Sequence, residues 1–134
     1  MTLGVRGAIE RADGSIMLVR HVYTQGWFLP GGGVEKGEPA LVALKRELQE
    51  EGGVALTHPP ELVGIYSNHR VFPNDHVILY RVRSDHWQAC ESDHAGEIAE
   101  IGWFNPAALP EQATPGTKRR VAHLYLGAED SDYW

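Results

Sequence analysis

The stretch Gly32–Val54, which reads GGVEKGEPALVALKRELQEEGGV, decides the fold. Its second half has the apolar spacing of an amphipathic helix. At about 100° per residue, Leu41, Leu44 and Leu48 fall on one stripe of a helical surface. The spacing therefore predicts a helix over residues 39–51, with the leucines facing a core.

Three glutamates lie on the same helix beside the apolar stripe. In helical projection Glu50, Glu47 and Glu51 form one arc, and Glu51 lies nearest the leucines, so we expect Glu51 to be the most buried. Ala40 and Ala43 share this arc and are expected to leave room above the carboxylates. Like charges this close repel each other unless a cation lies among them. Hard oxygen ligands suit Mg²⁺ or Mn²⁺.

A longer pattern of fixed residues runs through the stretch. It consists of a glycine, five residues, a glutamate, seven residues, and then Arg-Glu-apolar-any-Glu-Glu-any-Gly-apolar. These positions are held by Gly32, Glu38, Arg46, Glu47, Leu48, Glu50, Glu51, Gly53 and Val54. In this pattern, the Nudix box, the chain resembles the Nudix hydrolase family, and its MutT-like branch in particular. The resemblance implies one α/β domain over residues 1–134, an α/β/α sandwich with a central mixed sheet and the helix of the box packed against it.

The resemblance also implies roles for individual residues. The implied metal ligands are the main-chain carbonyl of Gly31 and the side chains of Glu47, Glu50, Glu51 and Glu97. The implied catalytic residues are Glu47, Glu50 and Glu97, and which of them is the base is left open. Glu97 lies six residues before Trp103, where the branch has a glutamate that reaches the metal, and Glu100 is its alternative. The implied structural residues of the box are Gly32, Glu38, Arg46 and Gly53.

The reaction that the resemblance implies is hydrolysis of a pyrophosphate bond with Mg²⁺ or Mn²⁺ as cofactor. The substrate would be a nucleotide-derived small molecule, a nucleoside diphosphate linked to another group. Candidate substrate-binding residues are Arg6, Arg20, Trp27 and Arg70. For the arginines Arg6 and Arg20 the alternative is a surface ion pair, and for Trp27 it is a place in the core.

Two other functions are compatible with the pattern. Some Nudix-fold domains sense nucleotides or dock on partners without turnover, but such domains typically lose box glutamates, and this chain keeps them. An RNA-end pyrophosphohydrolase is expected to have a basic surface. Here that rests on Lys118-Arg119-Arg120, a run that is more simply a solvated helix face.

Composition sets further limits. The 134 residues are 43% hydrophobic and 22% charged, which is typical of one soluble globular domain. A net charge of −6 argues against broad nucleic-acid binding. No apolar run is long enough for a membrane span. The single cysteine, Cys90, excludes an internal disulfide and fits the cytoplasm. A homodimer is an open expectation from the family.

Turn signals and alternation predict the remaining elements. Strands over 3–10 and 15–21, joined at Asp13-Gly14, are expected to form a hairpin. Pro30-Gly31-Gly32-Gly33 is expected to form a turn, and Gly52-Gly53 to stop the helix. Further strands are predicted over 61–66, 76–83, 87–90 and 97–104, with a short helix after Asn105-Pro106 and a second helix over 117–126.

Three Asp-His neighbours resemble catalytic dyads at first sight: Asp75-His76, Asp85-His86 and Asp93-His94. Because adjacent side chains of a strand point to opposite faces, such pairs seldom work as dyads. We expect them to be turn and loop residues.

Overall fold

The computed structural model describes residues 1–92 and 97–134, so Asp93-His94 lies outside the described residues. Within these ranges the elements are β1 (Thr2–Ile9), β2 (Ile16–His21), β3 (Gly31–Gly33), α1 (Ala40–Gly52), β4 (Val54–Leu56), β5 (Glu61–Ser67), β6 (Asp75–Val82), β7 (Trp87–Ala89), β8 (Ile98–Phe104) and α2 (Pro115–Tyr125). In the part of the chain described, neither helix combines the length and the apolar character that crossing a membrane requires.

A mixed sheet forms the centre of the fold. Its strand order is β3-β1-β6-β5, in which β1 and β6 are parallel while β1–β3 and β5–β6 are antiparallel. Two antiparallel pairs, β2–β8 and β4–β7, complete the strands. The expected α/β class with a mixed sheet is confirmed.

The two faces of the strands pack on different helices. On one face Val5 and Ile9 of β1 join Leu44 and Leu48 of α1 in one buried cluster. On the other face Ala8 of β1 belongs to a second cluster that contains Val121 of α2. Burying each of these leucines stabilises the fold by about 1.5–3 kcal/mol. The helices on opposite faces make the predicted sandwich, and the α1 cluster fixes the helix that carries the glutamates.

Helix α1 agrees with its prediction to within one residue at each end. Pro39 is its N-cap, and Gly53 follows it in the left-handed conformation at φ 62°, with its N–H directed to the carbonyls of Gln49 and Leu48. One expectation is wrong. Ala43 is fully buried in the α1 cluster and so does not leave open space above the carboxylates.

Gly53→Ala should lower the free energy of unfolding by about 1–2 kcal/mol, because a side chain is strained at this φ. An added Cβ would also lie 2.8 Å from the carbonyl oxygen of Cys90. Urea unfolding measures the loss. Gly127→Ala is the matched control, because Gly127 has φ +76° but no atom within 4 Å of an added Cβ. Equal losses for both variants would show that the Cys90 contact contributes nothing.

The predicted hairpin of β1 and β2 is present only at its turn, where Glu10 and Ile16 form a single antiparallel bridge. The turn is present, with Gly14 at φ 88°, but the strands separate into different sheets. Strand β1 pairs with β3 on one side and β6 on the other, while β2 pairs with β8. Both edges of β1 are therefore occupied by partners that lie far along the chain.

Two further local predictions are wrong. The glycines Gly31–Gly33, predicted as a turn, form the edge strand β3, in which Arg6 is opposite Gly31. The short helix expected after Asn105 is a single turn, in which the Asn105 side chain accepts a hydrogen bond from the N–H of Ala107 at 2.9 Å. Such side-chain bonds compete with helix propagation. Strand β4 was not predicted.

Candidate metal and substrate site

Glu51 is held between three elements. Its Oε1 accepts a hydrogen bond from the N–H of Gly31 in β3 at 2.8 Å, and its Oε2 lies 2.9 Å from Nε2 of His21 in β2. The side chains of Glu51, Glu47 and Glu50 are 9%, 15% and 41% exposed. Glu51 is thus the most buried of the three, as the helical projection predicts.

Arg46 ties the start of the box to the carboxylates. Its Nε and Nη2 donate to the two oxygens of Glu38, each at 2.9 Å. Its Nη1 donates to Oε1 of Glu47 at 2.7 Å, and Nη2 reaches the carbonyl of Gly33 at 3.1 Å. Glu50 lies farther away, at 3.5 Å from Nη1. A planar guanidinium suits this role because it donates in several fixed directions at once.

The ion pair with Arg46 makes the stability of the fold sensitive to acid. Hydrogen bonds from Arg46 lower the pKa of Glu38 to about 2. Since the folded pKa lies below the unfolded value of about 4.3, the stabilisation is present above that value and is lost as the pH falls towards 2. We expect the urea midpoint of the wild type to fall faster over this window than that of Glu38→Gln. Parallel curves for the two proteins would contradict this assignment.

The surroundings of Glu47 disfavour its charged form. Desolvation raises its pKa, the charges of Glu51 and Glu50 raise it further, and the hydrogen bond from Arg46 opposes them. Its carboxylate lies against Gly32, where an added Cβ would come within 2.6 Å of the carboxyl carbon. Glycine at this position therefore makes room for Glu47, and a cation beside Glu47 would relieve the repulsion.

The donor chemistry at this place fits a hard divalent ion. The carboxylates of Glu47, Glu50 and Glu51 and the main-chain carbonyl of Gly31 are oxygen donors of the kind that Mg²⁺ and Mn²⁺ take. In residues 1–92 and 97–134, no three His, Cys, Asp or Glu side chains are arranged together around a common ion position. Oε1 of Glu47 accepts a hydrogen bond from Arg46, and Oε2 of Glu51 lies against Nε2 of His21.

Glu97 directly precedes β8, at the end of the strand that pairs with His21. Its carbonyl accepts a hydrogen bond from the N–H of Val22 at 3.1 Å, and its neighbour Ile98 is paired with His21. Its side chain is exposed. The alternative, Glu100, is paired with Arg20 at 3.2 Å on the surface. The main-chain position therefore favours Glu97 over Glu100 as the additional carboxylate.

A cleft of about 560 Å³ adjoins the glycine edge, the edge strand β3 formed by Gly31–Gly33. The lining of the cleft is largely apolar. Its wall includes Gly32, the glycine on which the Glu47 carboxylate lies. Most of its lining residues were not assigned from the sequence, among them Phe72, Thr117 and Trp134. They come from separate parts of the chain and carry no local signal. The main chain of Trp134 is fixed by a 2.9 Å hydrogen bond to the carbonyl of Ser67.

Arg6 is the predicted substrate residue that lines this cleft. Its Nη1 donates to the carbonyl of Leu29 at 2.8 Å and more weakly to that of Gly31 at 3.4 Å. Burial lowers the pKa of Arg6, and the negative charges of Glu51 and Glu47 act against this effect. Arg6 therefore lines the cleft and is attracted by the negative charges of Glu51 and Glu47.

The other three predicted substrate residues lie elsewhere. Arg20 forms its ion pair with Glu100 beside a second cleft of about 600 Å³. Arg70 lies over the ring of Tyr133, 4.1 Å from its centroid. Trp27 is 8% exposed and packs edge-on against Phe104. A ring this enclosed has no free face for a base, so the core interpretation replaces the stacking one.

Comparison with known proteins gives a consistent result. The family model described as NUDIX domain matches residues 2–125. A protein of Bacillus subtilis (strain 168), provisionally named 8-oxo-dGTP diphosphatase, is 30% identical over 115 residues, which are 86% of this chain and 74% of that protein. The ADP-ribose pyrophosphatase of Methanocaldococcus jannaschii is 39% identical over 79 residues, 57% of this chain and 46% of that protein. The crystal structure of a MutT NUDIX hydrolase from Burkholderia pseudomallei has a TM-score of 0.70 and 28% identity, covering 90% of this chain and 95% of that one.

Proposed function

The chain belongs to the Nudix hydrolase family, in its MutT-like group, and on this premise we propose that it hydrolyses the pyrophosphate bond of a nucleoside diphosphate linked to another group. Nudix hydrolases in general cleave pyrophosphate linkages. The observation that carries the proposal is the position of Glu47. Its carboxylate lies against Gly32, and Gly32 forms part of the wall of the 560 Å³ cleft. A substrate in this cleft would present its phosphates to the carboxylates.

We assign the metal ligands to the Gly31 carbonyl and the side chains of Glu47, Glu50, Glu51 and Glu97. A divalent ion bound there would neutralise phosphate charge and lower the pKa of an attacking water. The protein's part is to hold these groups in place. Arg46 orients Glu47, and the N–H of Gly31 orients Glu51. The proton of the attacking water goes to Glu47, Glu50 or Glu97, and the more exposed Glu50 and Glu97 have the better access to water.

The cleft supports a nucleotide as the substrate. Its volume is within the usual range for small-molecule sites, and the rings of Phe28, Phe72 and Trp134 form apolar parts of its wall. The guanidinium of Arg6 lies on the side of the cleft nearest the glycine edge and offers a positive charge to phosphate. The two relatives are named for 8-oxo-dGTP and ADP-ribose, and both of these are nucleoside diphosphates joined to another group.

The alternative is a nucleotide sensor or partner-binding module without turnover. The complete set of box glutamates and the relatives' names favour the enzyme. The homodimer and the cytoplasmic location stay predictions.

A hydrolysis screen with Mg²⁺ and with Mn²⁺ tests the proposal. The panel contains nucleoside triphosphates, oxidised ones included, nucleotide sugars, ADP-ribose and dinucleoside polyphosphates. We expect metal-dependent cleavage of at least one compound class. No cleavage by folded protein with either metal would contradict the proposed function, and unchanged cleavage in excess EDTA would contradict its metal requirement.

A further inference from the structure

A histidine outside the box contacts the most buried glutamate of the box. Nε2 of His21 lies 2.9 Å from Oε2 of Glu51, and the two side chains are 12% and 9% exposed. No element of the box pattern specifies a histidine here. The contact joins β2 to α1 and restrains Oε2 of Glu51, the carboxylate oxygen that Gly31 does not hold.

The position of His21 is built by the surrounding strands. The pairing of β2 with β8 shifts register between Arg20 and His21, and such irregularities re-aim the side chain that follows. The ring of His21 then packs edge-on against Phe28, with centroids 5.4 Å apart, and stacks on Tyr23 at 6.0 Å. His21 is thus oriented by aromatic neighbours before it meets Glu51.

Both oxygens of Glu51 have one protein donor each. An ionised carboxylate only accepts hydrogen bonds, so Nε2 of His21 must carry the hydrogen in this contact. The second donor is the N–H of Gly31, at 2.8 Å from Oε1. Because the two donors belong to different strands, rotation of the carboxylate would break at least one bond. The lone pairs that are left remain available to a cation.

We propose that His21 is a positioning residue, which donates from Nε2 to Oε2 of Glu51 and holds this carboxylate in the orientation that ligates the divalent ion. The inference rests on the proposed function, because it assumes that Glu51 is a ligand. Partners that orient a ligand in this way typically change metal affinity or activity by about 10–100-fold when they are removed. His21 acts through Glu51 and is not itself a reacting group.

The test compares three variants with the wild type by direct metal binding. His21→Leu removes the donor and keeps similar volume, while His21→Gln keeps a donor on a side chain of similar reach. His58→Ala is the control, since His58 is exposed and stacks on His86, away from the carboxylates. Mg²⁺ affinity is measured by calorimetry and Mn²⁺ affinity by electron paramagnetic resonance, with circular dichroism to verify folding.

We expect His21→Leu to weaken metal binding by about 10-fold or more, and His21→Gln to stay within about 3-fold of the wild type. At saturating metal, KM for the nucleotide should be unchanged in both. Metal affinity of His21→Leu within 2-fold of the wild type, about the precision of such measurements, would overturn the inference alone. If His21→Leu does not fold, His21→Asn replaces it, because its shorter amide cannot reach Glu51. A wild type that binds neither metal contradicts the proposed function itself.

Discussion

Glu51→Gln should lower kcat by at least about 100-fold in a protein that remains folded and still binds nucleotide. The amide oxygen of glutamine can keep the hydrogen bond from Gly31, so this contact to β3 is retained. The substitution removes the negative charge of the carboxylate that we propose as a metal ligand. Steady-state kinetics with Mg²⁺ measure the effect on kcat, and calorimetry with a nucleotide measures binding separately.

Glu61→Gln is the matched control for this substitution. Glu61 carries the same charge on the exposed surface, where it pairs with Arg83 at 3.4 Å. Removing it should change kcat by less than about 2-fold. The comparison also separates the two functional classes. An enzyme loses turnover in Glu51→Gln, whereas a sensor would keep ligand binding and its downstream function. Full turnover by Glu51→Gln would show that Glu51 is not a ligand.

Gly31→Ala should lower the free energy of unfolding by more than about 3 kcal/mol and abolish activity. An added Cβ would lie 1.9 Å from the carbonyl oxygen of Val5 and 2.8 Å from Cα of Arg6. Both are backbone atoms, so no side chain can turn away to relieve the clash. Strand β3 must separate from β1, and the hydrogen bond from Gly31 to Glu51 is then lost.

Gly33→Ala tests whether this effect belongs to Gly31 alone. Gly33 is two residues away in the same strand, and an added Cβ there has no atom within 4 Å. Its substitution should change stability by less than about 0.5 kcal/mol. Urea unfolding of the two variants measures both values. Similar losses would mean that the close approach of β1 and β3 does not constrain Gly31.

Local patterns were enough to predict the helix that carries the glutamates. The leucine spacing and the prolines and glycines at its ends are contained within the stretch itself, and α1 follows them within one residue. The burial order of the glutamates also came from this spacing, because a helix face is a local property. The structure agrees for Glu51, whose side chain is 9% exposed.

Pairings between distant parts of the chain could not be predicted. The hairpin was expected because β1 and β2 are neighbours in sequence, yet β1 pairs with β6, whose residues lie about 73 positions later. The sequence did not indicate that His21 points to Glu51. The first four residues of β2 are all buried, so the strand has no alternation that would show the face on which His21 lies. Trp134 reaches the cleft through pairing of its main chain with Ser67.

The most direct test of the central claim is where water enters the products. We propose hydrolysis of the substrate identified in the screen in ¹⁸O-enriched water, with ³¹P NMR of the products. Attack on phosphorus predicts one ¹⁸O atom in a phosphate group for each bond cleaved, only with divalent metal present, and a loss of this signal in Glu51→Gln. Products without ¹⁸O in any phosphate group would contradict water attack on a pyrophosphate phosphorus.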